Sequence, residues 1–260
     1  VPPPSHPRAA AAADGVADDA RLAASLADAA GRLLLQIRAG ALTDRALGDE
    51  GDRRSHAFIT AELARARPGD AVLSEEGADD PARLAAERVW IVDPLDGTRE
   101  YREPGRSDWA VHIALVEDGE LASGAVGLPA QHLVLSSATP PPLGPMAPVP
   151  RLVVSRSRAP DLVHRVARDI GADVVPLGSA GAKIAAVVLG QAEVYIHAGG
   201  QYEWDSAAPV AVALAAGLHC SRLDGSPLRY NQPDPYLPDL VACRPELATA
   251  VLSSIEAATP

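Results

Sequence analysis

The chain has 260 residues, 47% of them hydrophobic, and a net charge of −11 at neutral pH. That is enough apolar material for a large core, near the size at which one core gives way to two. The negative field, with no Lys or Arg run to offset it, argues against binding to nucleic acid or to an anionic membrane. Cys220 and Cys243 are too few and too far apart for a disulfide framework or a zinc site, so a reduced, cytoplasmic setting is expected. No apolar run approaches the length of a membrane span.

Residues 1–17, rich in Pro and Ala, read as a flexible tail without the pattern of a signal peptide. From 18 to 38, Leu22, Leu26, Ala29, Leu33 and Ile37 recur at three- and four-residue steps, which predicts an amphipathic helix ending near Gly40. The run Gly48-Asp49-Glu50-Gly51-Asp52 then reads as an acidic turn before a second helix through His56, Ile59 and Leu63 to Arg67. In that reading Asp52 is its N-cap. Ala71-Val72-Leu73 is a short strand running into Ser74-Glu75-Glu76-Gly77, where adjacent carboxylates imply either a solvated loop or a neutralising cation.

Residues 89–92 form a β-rich apolar run ending abruptly in Asp93-Pro94-Leu95-Asp96-Gly97-Thr98. An ordinary surface turn uses the same residue types. Here, however, a buried strand delivers two acids to one point, and a second strand end carries Glu75. Asp93 and Asp96 can both face a hard cation. The N–H groups of Gly97 and Thr98 lie where a short helix would begin and receive an anion, before Pro104 and Gly105 stop it.

Residues 109–116, 122–128 and 133–136 read as successive strands of an antiparallel sheet. Six prolines between 139 and 150 mark a linker, dividing an N-terminal half (18–138) from a C-terminal half (151–260). The second half alternates strands (152–155, 174–177, 194–197) with helices (160–170, 181–189, and one from Asp205), and it ends in strands at 218–221 and 240–243 and a helix at 245–255. This predicts an α/β layer. Gly178-Ser179-Ala180-Gly181-Ala182-Lys183, holding the only lysine of the chain, reads either as an anion cradle or as a plain capped helix start. In Glu203-Trp204-Asp205-Ser206, Asp205 reads as an N-cap able to turn an oxygen toward a metal between the halves, with Pro209 in the first turn.

Glu75-Glu76 after a strand, Asp93-Pro94-Leu95-Asp96-Gly97-Thr98, and Trp204-Asp205 before an Ala-rich helix together resemble the inositol monophosphatase superfamily of Mg²⁺-dependent, lithium-sensitive phosphatases. Leu95, the run Arg99-Glu100-Tyr101 and the Gly-Ser…Lys turn resemble the CysQ-type 3'-phosphoadenosine 5'-phosphate phosphatases, especially actinobacterial ones. The resemblance implies an α+β or α/β fold, a layered αβαβα sandwich. It also implies two to three Mg²⁺ ions per site: Glu75, Asp93 and the Leu95 carbonyl on one, Asp93, Asp96 and Asp205 on a second, and a weaker third near Glu75.

By the same resemblance Thr98, hydrogen-bonded to Asp52, orients or deprotonates the attacking water, with Glu75 alongside, and Gly97 and Thr98 receive the phosphate. The family usually shows Thr-x-x-Asp where this chain has Asp49-Glu50-Gly51-Asp52. For an adenosine bisphosphate, Arg99, Ser179, Lys183, Tyr202 and Trp204 are the further candidate contacts, and Tyr230-Asn231 either lines this side or is loop packing. Inositol phosphate and fructose 1,6-bisphosphate are the alternative substrates, and an inactive metal-binding regulatory homologue is the alternative of another class. The family often dimerises. The chemistry agrees: phosphate monoesters need up to roughly 10²¹-fold acceleration, which cations can supply at both entering and leaving oxygens.

Overall fold

Helix α1 (Pro7–Arg38) opens the computed structural model, which describes residues 7–157 and 159–258. Residues 7–17, expected as tail, are helical, because the Ala run after Pro7 has high helix propensity and proline is tolerated at a helix's first position. The rest of the expected tail, 1–6, lies outside the described residues. Ala23, Leu26, Ala27, Ala30, Leu34 and Ile37 form its buried stripe.

Helix α2 (Asp44–Ala66) starts earlier than expected, so the acidic run 48–52 lies inside it and Asp52 is not its N-cap. The two glycines taken as turn signals are instead points of contact. A Cβ on Gly48 would come within 2.8 Å of Thr98 Cγ2, and one on Gly51 within 3.0 Å of Leu95 and Tyr101 side chains. Their bareness lets α2 lie against the chain segment that carries the acids.

The first sheet has the order β1-β2-β3-β4-β5: β1 (Ala71–Ser74), β2 (Arg88–Asp96), β3 (Ala110–Glu117), β4 (Glu120–Leu128) and β5 (Leu133–Ser136). β1 pairs parallel to β2 with Ser74 opposite Val92, and the remaining neighbours are antiparallel. The parallel pairing brings the Glu75 strand end level with Asp93, and the Glu75 N–H donates to the Val92 carbonyl at 3.2 Å. Helix α3 (Thr98–Arg102) follows β2.

No helix or strand forms between Ser136 and Arg151. The second sheet has the order β7-β6-β8-β10-β9: β6 (Arg151–Ser155), β7 (Asp173–Leu177), β8 (Val194–Tyr202), β9 (His219–Ser221) and β10 (Tyr236–Cys243). Helices α4 (Asp161–Asp169), α5 (Ala180–Val188), α6 (Glu203–Ala215) and α7 (Ala248–Ala258) complete the chain.

Three buried clusters define five layers. One packs α1 and α2 on the first sheet, one encloses α5 and α6 between the sheets, and one packs α4 and α7 on the outer face of the second sheet. The expected αβαβα sandwich is thus the fold. The small residues of α6 make the central contact close, since a Cβ on Gly124 of β4 would sit 2.7 Å from Ala211 Cβ. Among the described residues, no helix is long and apolar enough to cross a membrane.

Candidate active site

The acids converge where both sheets end around α6. Asp93 and Asp96 close β2, whose pairing with β3 shifts register between them. Pro94 has no N–H to give that ladder, and its carbonyl accepts the buried Ser55 hydroxyl at 2.8 Å. The Asp93 carboxylate accepts the Leu95 N–H at 3.0 Å. Gly97 then turns the chain with φ +82, a left-handed conformation suited to glycine. A Cβ there would also lie 3.0 Å from Ser179 Cβ.

Asp205 comes from the opposite half. It is the third residue of α6, so it is not the N-cap expected from sequence; its carboxylate accepts the N–H of the capping residue Tyr202 at 2.7 Å. Pro209 correspondingly falls in the second turn, where its missing N–H leaves the Asp205 carbonyl without an intrahelical donor.

Ligand oxygens of Asp93, Asp96 and Asp205 lie within 4.8 Å of one another. Glu75 joins them through a side-chain hydrogen bond to Asp93. Burial is the largest cause pushing the Glu75 carboxyl up to about 7, with Asp52, Asp96 and Glu76 adding repulsion. Burial and the charge of Asp96 likewise raise Asp205 to about 7, and Asp93, sealed from solvent, is raised well above the ordinary carboxylate range. Carboxylates so placed resist ionising together, and a cation among them reverses that. The donors are all carboxylate oxygens, which fits a hard divalent ion such as Mg²⁺ rather than a thiolate- or imidazole-seeking metal.

Asp52 reaches the same region from α2. Burial, then the charges of Glu76 and Asp49, raise it to about 7, while a hydrogen bond with the Thr98 hydroxyl pulls the other way. Its Oδ1 is buried with no partner among the described residues. Thr98 Oγ1 also lies 3.2 Å from the Leu95 carbonyl. The structure therefore brings together Asp52, Glu75, Asp93, Leu95, Asp96, Gly97, Thr98 and Asp205.

The Gly178–Lys183 turn is engaged differently from the substrate cradle considered above. The Ser179 hydroxyl and the N–H groups of Ala180 (3.2 Å) and Gly181 (2.6 Å) donate to the Asp96 carboxylate, and the Gly178 N–H donates to Asp108 at 2.6 Å. The anion at the α5 N-terminus is thus an aspartate of the protein itself. Ser179 adopts φ +47, a conformation disfavoured for a residue with a Cβ, and its oxygen also caps the Ala182 N–H at 2.9 Å. Lys183 is buried and donates to the Gly178 carbonyl at 3.2 Å and to that of Ser179. Burial lowers its pKa. Arg99 is exposed, 3.5 Å from Glu103. Tyr230 is buried, with its hydroxyl 3.2 Å from Ser206, so the loop-packing alternative applies to it.

A cleft of about 680 Å³ opens beside the acids, within the range of small-molecule sites. Asp96, Gly97, Ser179, Lys183 and Asp205 line one end, Val154, Val163 and Ile196 give apolar wall, and Tyr202 lies at its edge. Tyr202 stacks on Trp204 with centroids 4.7 Å apart and planes at 9°.

His112 was not singled out from sequence. It stands opposite Asp93 in the β2–β3 register, fully buried, with Nδ1 3.0 Å from the Trp204 carbonyl and Nε2 3.3 Å from Asp96 Oδ2. Burial lowers its pKa. The bond to a carbonyl requires a proton on Nδ1, so the neutral ring turns the bare Nε2 toward Asp96, where it has no hydrogen-bond partner among the described residues. Its place requires Gly181, since a Cβ there would lie 1.9 Å from Nε2. The one sequence signal was a His inside an apolar strand.

Residues 18–140 and 150–259 match the inositol monophosphatase family. The chain belongs to that family. Among curated members, the 3'-phosphoadenosine 5'-phosphate phosphatase of Mycobacterium leprae is 54% identical over 252 residues, 91% of this chain and 93% of that protein. The 3'(2'),5'-bisphosphate nucleotidase CysQ of Escherichia coli O157:H7 is 31% identical over 82% of this chain and 94% of its own length. Among solved members, CysQ from Bacteroides thetaiotaomicron superposes with a TM-score of 0.75 at 27% identity, over 87% of this chain and 97% of that one. An inositol monophosphatase from Zymomonas mobilis gives 0.74 at 25%, over 92% and 98%.

Proposed function

We propose that this chain is a Mg²⁺-dependent phosphomonoesterase that removes the 3'-phosphate of 3'-phosphoadenosine 5'-phosphate to give AMP, and acts likewise on the 5'-phosphosulfate. The observation that carries the reading is the trio Asp93, Asp96 and Asp205, of which Asp96 and Asp205 line a cleft of about 680 Å³. The names of the curated relatives support the choice of substrate.

In this reading Asp93, Asp96 and Asp205, with Glu75 and the Leu95 carbonyl, hold two to three Mg²⁺ ions. The ions supply positive charge to the phosphoryl oxygens and make water more acidic. Thr98 and Asp52 orient the attacking water, and Asp52, held at about 7, accepts its proton at neutral pH. The N–H groups of Gly97 and Thr98 receive the phosphate. The exposed face of Tyr202, backed by Trp204, takes the adenine as a third stacked ring. Lys183 and Ser179 shape the floor of the cleft through their bonds to the α5 turn rather than as free anion contacts. The physiological setting is the clearance of a nucleotide by-product of sulfate assimilation in the cytoplasm, by a protein that can act as a homodimer.

The test is phosphate release from 3'-phosphoadenosine 5'-phosphate, inositol 1-phosphate and fructose 1,6-bisphosphate, with Mg²⁺ and with chelator. The expected result is a kcat/KM preference of about a hundredfold or more for the nucleotide, abolished by chelator. Preference for either other substrate would overturn the substrate assignment and keep the metal site. No Mg²⁺-dependent release from any of the three would leave the regulatory alternative.

A further inference from the structure

Asp205 belongs to the C-terminal half, whereas Glu75, Asp93 and Asp96 belong to the N-terminal half. To lie within 4.8 Å of Asp93 and Asp96, Asp205 must be held at the end of β2 from an element that follows the second sheet's β8. A buried polar clamp lies between them. Arg83, in a short 3-10 turn (Pro81–Ala85) after the Glu75-Glu76 loop, is 1% exposed.

Its guanidinium is used on every side. Nε and Nη2 donate to the Asp79 carboxylate at 2.6 and 3.0 Å, Nη1 donates to Asn231 Oδ1 at 2.7 Å, and Nη2 also donates to the Gln232 carbonyl at 3.0 Å. Asn231 returns a bond from Nδ2 to the Arg83 carbonyl at 3.3 Å. The same two loop residues give their backbone N–H groups, at 2.5 and 2.8 Å, to the buried carboxylate of Glu203. Glu203 is the first residue of α6, two before Asp205, and its own N–H donates to the Pro235 carbonyl at 2.8 Å. The chain of contacts thus runs from the loop bearing Glu75, through Arg83 and residues 231–235, to the first turn bearing Asp205.

We propose that Arg83 is a positioning residue that fixes Asp205 against the acids of the N-terminal half, and so sets the affinity of the site for Mg²⁺. The proposal rests on the metal-site reading above. A planar fork suits it: one side chain grips a carboxylate bidentately and two groups of a separate loop at once, which a lysine ammonium cannot do. Removing the fork leaves α6 packed on β4 but free to shift its first turn by the fraction of an ångström that a metal site registers.

The experiment is Mg²⁺ and Mn²⁺ titration of purified full-length protein by calorimetry, with Mg²⁺-dependence of turnover and thermal unfolding measured alongside. It uses wild type, Arg83→Met, Arg83→Lys, Asn231→Ala, and Val251→Ala as a destabilised control in the distant outer cluster. The expected result is metal affinity about ten- to a hundredfold weaker in Arg83→Met, with kcat at saturating Mg²⁺ and KM for substrate near wild type. Arg83→Lys falls between, and Arg83→Met with Asn231→Ala is no weaker than Arg83→Met alone, because the two act as a unit. If Arg83→Met does not fold, Arg83→Lys and Asn231→Ala carry the test. Variants that lose thermal stability but keep wild-type metal affinity, as Val251→Ala is expected to do, would overturn the proposal and leave Arg83 a stabilising residue only. A wild type that binds neither ion would overturn the metal-site reading as well.

Discussion

Replacing Asp205 by asparagine should stabilise the metal-free protein at neutral pH while abolishing its response to Mg²⁺. Burial and the neighbouring Asp96 charge hold the Asp205 carboxyl at about 7, against an ordinary value of 3.8. An acid whose folded value is raised binds its proton more tightly in the fold than in the unfolded chain. Its contribution is therefore complete below about pH 4, and stability falls as pH rises toward 7, where the folded group also ionises. The full difference is worth about 4 kcal/mol at pH 7 and above. Because Asp205 shares its titration with the other acids of the cluster, about half of that is the gain expected from the amide, or roughly 6 °C in Tm.

Asparagine keeps an oxygen for the Tyr202 N–H, so the helix start is preserved. Acids that ion pairs or hydrogen bonds hold low, such as Asp108, Glu193 and Asp239, work in the opposite sense. Their window lies below about 4.5. His112 and His197, whose pKa values burial lowers from 6.5, also oppose the fall below about pH 6.5, so the net loss is the surplus of the raised acids Asp52, Glu75, Asp93 and Asp205 over them. The assay is calorimetric unfolding from pH 4.5 to 8 with EDTA and with Mg²⁺. Wild type with EDTA should lose stability across that range and recover it with Mg²⁺; Asp205→Asn should lose less and recover nothing. Equal pH slopes for the two proteins in EDTA would refute the account of the cluster as mutually repelling acids.

Asp96→Asn should leave the fold intact, since the amide oxygen still accepts from Ser179 and Gly181 and only the longer Ala180 bond is lost, yet reduce turnover at saturating Mg²⁺ by about a thousandfold or more; full activity would sink the shared-ligand assignment. Thr98→Ala should lower kcat by about 10²- to 10³-fold with Mg²⁺ affinity unchanged by calorimetry. Tyr202→Ala should raise KM for the adenosine bisphosphate by about tenfold, equivalent to roughly 1.4 kcal/mol of lost stacking, and leave inositol 1-phosphate kinetics unaltered. Gly181→Ala places a methyl group on His112 Nε2, and chemical denaturation should show a loss of about 2 kcal/mol or more.

The acids of the N-terminal half were legible because each is set by local rules. Val89–Val92 must be buried strand, Pro94 and Gly97 must turn the chain, and a parallel neighbour must end level with it, which is what Ser74 opposite Val92 achieves. The glycines at 48 and 51 were misread because a bare Cα looks the same in sequence whether the chain turns or another segment presses against it. Only Leu95, Tyr101 and Thr98, about 50 residues on, distinguish the two. Asp205 was found but placed three positions early in its helix, as N-cap rather than as the third residue that accepts the Tyr202 N–H, because α6 opens at Glu203, which holds a loop nearly 30 residues later.

The α5 turn shows the deeper limit. Its small residues and serine do form an anion-binding helix start, as the local sequence says, but sequence cannot say which anion arrives. The structure supplies Asp96, from a strand more than 80 residues earlier. With Ser179, Ala180 and Gly181 on one side and His112 behind it, Asp96 is the most constrained member of the cluster, while Asp205 is held through one backbone bond and the Glu203 network. A site assembled this way has one ligand set tightly from each half's contact with the other and one set through an intermediary loop. Metal affinity is therefore expected to be most sensitive to changes on the α6 side, where the least direct support carries the proposed ligand Asp205.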